Sequence, residues 1–369
     1  MELGRILKRL DYVLLFAVLA LTAIGITLIG SATHINLASE DRYWYVQRQS
    51  MFAVLNLLFI FFSLRFDYRL LEDMSKRLYI FNLVMLLAVM FLGHSALGAQ
   101  RWIQIGPVSI QPSEFSKIIM IVALSAFINT RLDDLDSFWS WLPVFGYVLV
   151  PFLFVMKQPD LGTALVFAAI LLGLMIICGF KKKFFARLLG IGVVSAPLVW
   201  VVLHDYQKMR LKVFLDPGLE PQGAGYHVIQ SMIAIGSGML AGKGLFSGTQ
   251  SQLDFLPENH TDFIFAVAGE EFGFIGTTII LLLYLVVIYR GLNIAMNATD
   301  DFGTLLATGI VSMFVFHVLV NVGMTAGIMP VTGVPLPFMS YGVSSLTTNM
   351  VLIGLLLNIN MRQQKLTFK

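Results

Sequence analysis

Long apolar runs separated by short polar ones set the pattern of this chain. Near-continuous hydrophobic stretches fall at about residues 12–32, 44–63, 78–95, 114–130, 141–157, 160–180, 184–203, 262–290, 303–328 and 341–361. A helix that crosses a bilayer needs roughly 20 apolar residues, so the pattern predicts an all-α, polytopic integral membrane protein of about ten transmembrane helices. Residues 1–369 read as a single transmembrane domain, and only one polar stretch is long, residues 204–261, between helices 7 and 8. The fourth run contains Glu114 and Lys117, and the fifth carries Pro143 and Pro151. The first run follows Arg5, Lys8 and Arg9, a flank shared with signal peptides. Their apolar cores span only about 7–15 residues, so this longer one reads as a retained helix.

Composition strengthens that picture. The 369 residues are 57% hydrophobic and 13% charged, about half the charged share of a soluble domain, and the mean hydropathy is +0.80. The net charge of +3 matters less than its placement. With the N-terminus inside, Arg65, Arg69, Lys76, Arg77, Arg131, Lys181, Lys182, Lys183, Arg187, Arg290 and Arg362 fall on the same side as both termini. Positive charge collects on the cytoplasmic side of membrane proteins. Both termini are therefore expected in the cytoplasm and 204–261 outside it. The lone Cys178 excludes a disulfide framework. No phosphate-binding loop or dinucleotide fingerprint is present, and nothing suggests nucleic acid as a partner.

The polar groups that could carry chemistry concentrate on the expected outer side. Leu256-Pro257-Glu258-Asn259-His260-Thr261-Asp262-Phe263 leads from the long loop into the eighth run. Lys208, Arg210, Lys212 and Lys243 precede it, so an anionic, phosphate-bearing substrate fits this face. Asp262 reads either as an N-cap of the helix that follows or as a general base. The helix dipole would lower its pKa unless burial opposes it. Glu258 and His260 are alternative bases or orienting partners.

Other candidates follow the same two-sided logic. Glu114 and Lys117 lie three residues apart on one helical face, as an interfacial ion pair or as ionisable groups of a site; the lysine could meet a diphosphate. Asp160, in Gln158-Pro159-Asp160-Leu161-Gly162-Thr163, is a helix cap or a site organiser. Arg101 could hold a phosphate, beside Trp102 as an interfacial anchor. Glu270 and Glu271, deep in the eighth run, read as structural or cavity-lining. Met329 to Gly342 includes Pro330, Pro335, Pro337 and Ser340 and cannot be regular helix; a groove wall suits it. No His and Cys cluster has metal-ligand spacing, which leaves a divalent cation (Mg or Mn) at Asp262 open and no cofactor certain.

In order, these motifs resemble the SEDS (shape, elongation, division and sporulation) family over essentially the whole chain. The motifs are Gln100-Arg101-Trp102, Gln111-Pro112-Ser113-Glu114, Gln158 to Thr163, Leu256 to Phe265 and Asn321 through Ser345. Gly248-Thr249-Gln250-Ser251-Gln252-Leu253 and Val334-Pro335-Leu336-Pro337 favour the rod-shape (RodA-type) branch. The resemblance implies a peptidoglycan glycosyltransferase of the bacterial cytoplasmic (inner) membrane, working during cell elongation with its active site on the outer face. It implies polymerisation of lipid II, the undecaprenyl-diphosphate-linked disaccharide pentapeptide, onto a growing glycan strand. It also implies a class B penicillin-binding protein as partner, membrane lipids around the helices, and Asp262 as catalytic acid with Arg101, Glu114, Lys117 and Asp160 in a polar cavity. One departure is Val343, where the family usually has a second glycine. Since valine resists positive φ, a different local backbone is expected there. The rival readings are a lipid II flippase, which needs no base at Asp262, and a non-catalytic scaffold of the elongation complex.

Overall fold

The structure is a computed structural model, which describes residues 9–34, 43–96, 99–106, 108–203, 205–220, 223–253 and 255–363. Arg5, Lys8, Arg42, Lys365 and Lys369 lie outside them. A helix stands at each of the ten expected positions: α1 Tyr12–Thr33, α2 Trp44–Ser63, α3 Leu70–Leu92, α4 Pro112–Asn129, α5 Leu142–Lys157, α6 Leu161–Ile177, α7 Lys182–Val202, α11 Ile264–Met296, α12 Asp301–Thr325 and α13 Val343–Arg362. Among the described residues eight spans are long and apolar enough to cross a membrane, α5 counting with the turn before it as Trp139–Lys157; α6, at 17 residues, is shorter, and α7 is not among the eight. The chain is a mostly helical, polytopic membrane protein.

Two regions are richer than the hydropathy pattern suggested. Between α3 and α4 the chain forms a small antiparallel meander: β1 His94–Ala96, β2 Ala99–Ile105 and β3 Val108–Ile110. Trp102 faces His94 across one pair and Ile103 faces Ile110 across the other. Gly106, at φ 60°, makes the turn that a side chain would resist. The long polar stretch is not an open loop either. It holds α8 Asp205–Leu215, α9 Ala224–Ser237 and the short α10 Thr249–Gln252.

The packing of α9 explains why this segment folds back. Gly238, just past its end, approaches α11 so closely that a Cβ would lie 1.9 Å from the Gly269 carbonyl oxygen. Gly242 meets the Glu271 carbonyl in the same way, and α11 answers with a kink at Gly273, φ 64° and ψ −162°. Glu270 lies just before that kink and is fully buried. Its carboxylate accepts hydrogen bonds from Lys243 at 2.7 Å, Thr249 at 3.2 Å and the backbone N–H groups of Gln250 and Ser251 at 2.9 and 3.2 Å. Glu271 accepts from Ser31 of α1. The adjacent acids are therefore structural: they tie α1, α10 and the 243–251 turn to α11.

The two ends of the bundle differ in chemistry. One end gathers the ion pairs Asp11–Arg290 at 2.6 Å, Arg69–Asp300 at 2.9 Å and Asp67–Arg362 at 3.2 Å. The other holds the sheet, α8 to α10, Asp262 and the irregular segment 326–342. At 1.5 Å per residue, the 33 residues of α11 separate these ends by up to about 50 Å. Helix α7 stands apart: among its described side chains only Phe184 is buried, packed on Phe180 and Phe138.

Removing one partner of a buried ion pair leaves an uncompensated charge. Lys243→Met should therefore lower the melting temperature of the detergent-solubilised protein, with a loss of about 1–3 kcal/mol. Adding Glu270→Gln should recover part of it. An unchanged melting temperature in the single variant would show that the pair does not hold this region.

Candidate active site

The site is assembled around a stretch of backbone that makes no regular structure. Between α12 and α13, residues 326–342 run without helix or strand, and side chains from several elements satisfy their polar groups. Asn321 of α12 donates to the Val334 carbonyl at 2.8 Å and to the Asp262 carbonyl at 2.9 Å. Ser340 donates to the Thr261 carbonyl at 2.6 Å and accepts from Leu336 N–H at 2.8 Å. Tyr341 N–H donates to the His260 carbonyl at 2.9 Å. Gln49 of α2 donates to the Ser340 carbonyl, and Tyr284 of α11 donates to that of Pro337. Pro335 and Ser340 thus belong to a wall packed on the Asp262 loop, Pro337 is anchored behind it, and Pro330 lines an adjoining pocket with Arg210.

The backbone leading to Asp262 is a tight, strained turn. Glu258 takes φ 52°, which a side chain disfavours, and its carbonyl accepts from both Thr261 and Phe263 N–H. The N-cap of α11 is Phe263, with no side-chain cap hydrogen bond. Asp262 is therefore not the cap of its helix, and the bland reading of this residue falls away. Its carboxylate faces Gly333, where a Cβ would lie 3.3 Å from Oδ2.

Burial raises the Asp262 pKa to about 6, helped by the negative charge of Glu258 and opposed by Arg210 and Arg101. Desolvation is the largest of these causes. A carboxyl that titrates near 6 is a far better base at neutral pH than an ordinary aspartate. His260 is pushed the other way by burial and stays neutral, its ring 4.8 Å from Tyr45 and 5.8 Å from Tyr341.

The other expected residues divide into two groups. Arg101, on β2, donates to the carbonyls of Gln158 and Pro159 and stands 3.9 Å from Asp160. Asp160 is the N-cap of α6: it accepts from Thr163 N–H at 3.1 Å and from Gln111 and Ser113. It organises the site by joining α4 to α6, so cap and organiser are the same role. Glu114 and Lys117 pair at 2.8 Å deep in the protein, 4% and 1% exposed. The Lys117 ammonium also faces His317 Nε2 at 3.4 Å, and His317 Nδ1 donates to the Pro335 carbonyl at 3.0 Å. An interfacial ion pair is excluded by that burial, and the enclosed ammonium is not presented to a diphosphate here. Lys243 is committed to Glu270 and does not join Asp262. Among the described residues, no group of three or more His, Cys, Asp or Glu side chains could hold a metal. The residues present do not form a metal site by themselves.

Two contributors, His227 and His317, were not named from the sequence, and Asn321 was named only as the start of a motif. His227 of α9 stacks on Phe263 with ring centroids 6.0 Å apart and lies within the fields of Glu258 and Arg210. His317 and Asn321 sit four residues apart on α12, one turn, and each grips a neighbouring carbonyl of the Val334-Pro335 pair. More than thirty residues separate His227 from Asp262, and over fifty separate Asn321 from it, so no local spacing could reveal them. Val343 opens α13 with an ordinary backbone: the helix starts where a glycine turn was in question.

Fold and site together define a polytopic membrane protein in which Asp262 is held through its backbone beside the 326–342 segment, within the fields of Arg101 and Arg210. Residues 12–365 match the FtsW/RodA/SpoVE family of cell cycle proteins, and the chain belongs to that family. It is 41% identical over 363 residues, 97% of its own length and 95% of the relative's, to the peptidoglycan glycosyltransferase MrdB of Escherichia coli K12. It is 38% identical to stage V sporulation protein E of Bacillus subtilis 168, covering 95% of this chain and 96% of that one. Among solved structures, a chain of a peptidoglycan synthase complex that coordinates polymerization and crosslinking aligns with a TM-score of 0.80, at 29% identity, over 96% of this chain and 99% of that one. The rod shape determining protein RodA of Thermus thermophilus aligns at a TM-score of 0.71 and 26% identity, over 96% and 98%.

An aspartate whose folded pKa lies above its unfolded value of about 3.9 weakens the fold once it ionises. That loss is absent below pH 4, grows between pH 4 and 6, and is complete above pH 6. Asp262→Asn should therefore raise the melting temperature at pH 7.5, by on the order of 1–3 kcal/mol in stability, and the gain should vanish at pH 4. Equal melting curves at both pH values would contradict the burial of this charge.

Proposed function

We propose that this peptidoglycan glycosyltransferase polymerises lipid II with Asp262 as general base. The carboxylate removes the proton from the 4-hydroxyl of the acceptor sugar. The freed oxygen bonds to the anomeric carbon of the lipid-linked strand as the bond from that carbon to the diphosphate breaks, with inversion. A diphosphate leaves as an anion, so no second carboxyl is needed to protonate it, unlike the paired acids of glycoside hydrolysis. Its developing charge falls to Arg101 and Arg210, the two cations whose fields reach Asp262. The polyprenyl tails lie in apolar grooves between helices, with the exposed faces of α7 as one wall.

The observation that carries this reading is the Asp262 carboxyl, its pKa raised to about 6 and freed from any capping role, in a chain 41% identical to a peptidoglycan glycosyltransferase. Cell elongation is the process it serves, and a class B penicillin-binding protein is the partner that crosslinks the strands. The basic end of the bundle faces the cytoplasm by the positive-inside rule. Asp262, at the opposite end of α11, then opens on the outer face of the bacterial inner membrane.

Purified protein in liposomes, given labelled lipid II with and without the partner, should form polymer that disappears in Asp262→Ala. Lipid movement across the bilayer with no polymer, even with the partner, would favour a flippase instead. Because the base must be ionised, the wild-type rate should rise with pH and reach half its plateau near pH 6. A rate unchanged between pH 5 and 8 would remove Asp262 from the proton transfer.

A further inference from the structure

An aromatic cluster borders the Asp262 loop and takes no part in the chemistry above. Trp44 and Tyr45 open α2, with ring centroids 4.9 Å apart and edge to face. Tyr45 packs on Tyr341 at 4.8 Å and on His260 at 4.8 Å. Tyr341 in turn lies 6.4 Å from Trp44. The cluster is fastened to the site: Tyr341 N–H holds the His260 carbonyl, and Gln49, one turn below Tyr45, bonds Ser340 and Gly342. Arg48 covers one face of the Trp44 ring, 4.6 Å from its centroid, yet the residue is still 40% exposed. Part of the indole is therefore uncovered, in a cluster whose tyrosines touch His260, two residues before Asp262.

We propose that Trp44, Tyr45 and Tyr341 form a saccharide-binding lip that holds the growing strand beyond its reacting sugar. The assignment rests on the glycosyltransferase reading for the identity of the saccharide. A pyranose presents an apolar C–H face that stacks on aromatic rings, while Tyr hydroxyls and the Arg48 guanidinium reach its hydroxyl groups. Aromatic residues that only anchor a helix in the bilayer sit at the headgroup level facing lipid. These three instead pack on one another and on the loop that carries the base. A strand that stays bound between additions needs such a hold away from its lipid, since its polar sugars leave the membrane as it lengthens.

The test compares product length with product amount. With labelled lipid II and the partner present, Trp44→Ala and Tyr341→Ala should give strands several-fold shorter while lipid II consumption changes little, and Trp44→Phe should restore length. Reduced consumption with an unchanged length distribution would mean damaged folding only and would overturn the lip. Independently of catalysis, chitotetraose titrated into wild-type protein should shift tryptophan emission, and Trp44→Ala should weaken that binding by roughly tenfold. Binding that depends on Trp44 in a wild type that makes no polymer would keep the lip and sink the polymerase. Normal polymerisation with wild-type strand lengths in every variant would do the reverse.

Discussion

Backbone without regular hydrogen bonding is intolerable near a bilayer unless something else satisfies it, and that constraint organises this protein. The segment from Ala326 to Gly342 cannot be helix, because Pro330, Pro335 and Pro337 interrupt it. Its carbonyls and amides are instead taken up by Asn321, His317, Ser340, Gln49 and Tyr284, side chains drawn from three helices and from the segment itself. Each of these bonds also fixes a neighbour. Asn321 uses a single amide to hold Val334 and the peptide of Asp262 together. The proposed base is thereby positioned through its backbone, and among the described residues its carboxylate accepts no hydrogen bond.

That freedom has a thermodynamic consequence. A carboxylate that capped its helix would be stabilised as an anion and would be a weak base. Here Phe263 occupies the cap position, and burial dominates the electrostatics of Asp262. Glu258, held in a left-handed conformation next to it, adds negative charge. Strain at Glu258 and desolvation at Asp262 both weaken the fold, and the desolvation favours the proposed proton abstraction. Local weakness of this kind belongs where function requires it. The Glu270 network shows the opposite treatment of a buried acid, with a lysine, two backbone amides and two hydroxyls converging on it.

Much of the fold was legible because lipid imposes a length rule: ten apolar runs became ten helices within a few residues at most ends. The α3 helix, Leu70–Leu92, starts eight residues before its apolar run because Glu72, Asp73, Lys76 and Arg77 form its polar first turns. The sheet at 94–110 and the helices within 204–261 escaped notice, since neither has the length or the continuous apolarity that a span requires. Asp262 and Asp160 were legible from their loops. Their environments were not: the pKa of Asp262 depends on Arg101 and Arg210, each more than fifty residues away in sequence. Lys243 misled for the same reason, because its partner Glu270 lies 27 positions on and reaches it only through the fold of α9 and α10.

The two buried charge systems of this protein divide its labour. Lys117, enclosed by Glu114 and His317, neutralises a carboxylate and steadies the histidine that holds Pro335. The cations that act on Asp262 through space come from elsewhere: Arg101 from the β-meander and Arg210 from α8. Neither element belongs to the packed bundle of α1, α4, α11, α12 and α13. A packed bundle therefore presents the proposed base, while the proposed countercharge for a leaving diphosphate is carried on elements outside it. Helix α8 is held by its own packing: Gln207 and Val213 are buried, and Arg210 and Val213 share a pocket with Val228 and Met232 of α9. Arg210 is thus positioned by the folded 204–261 segment and Asp262 by the hydrogen bonds of the 326–342 segment, two independent supports for one site.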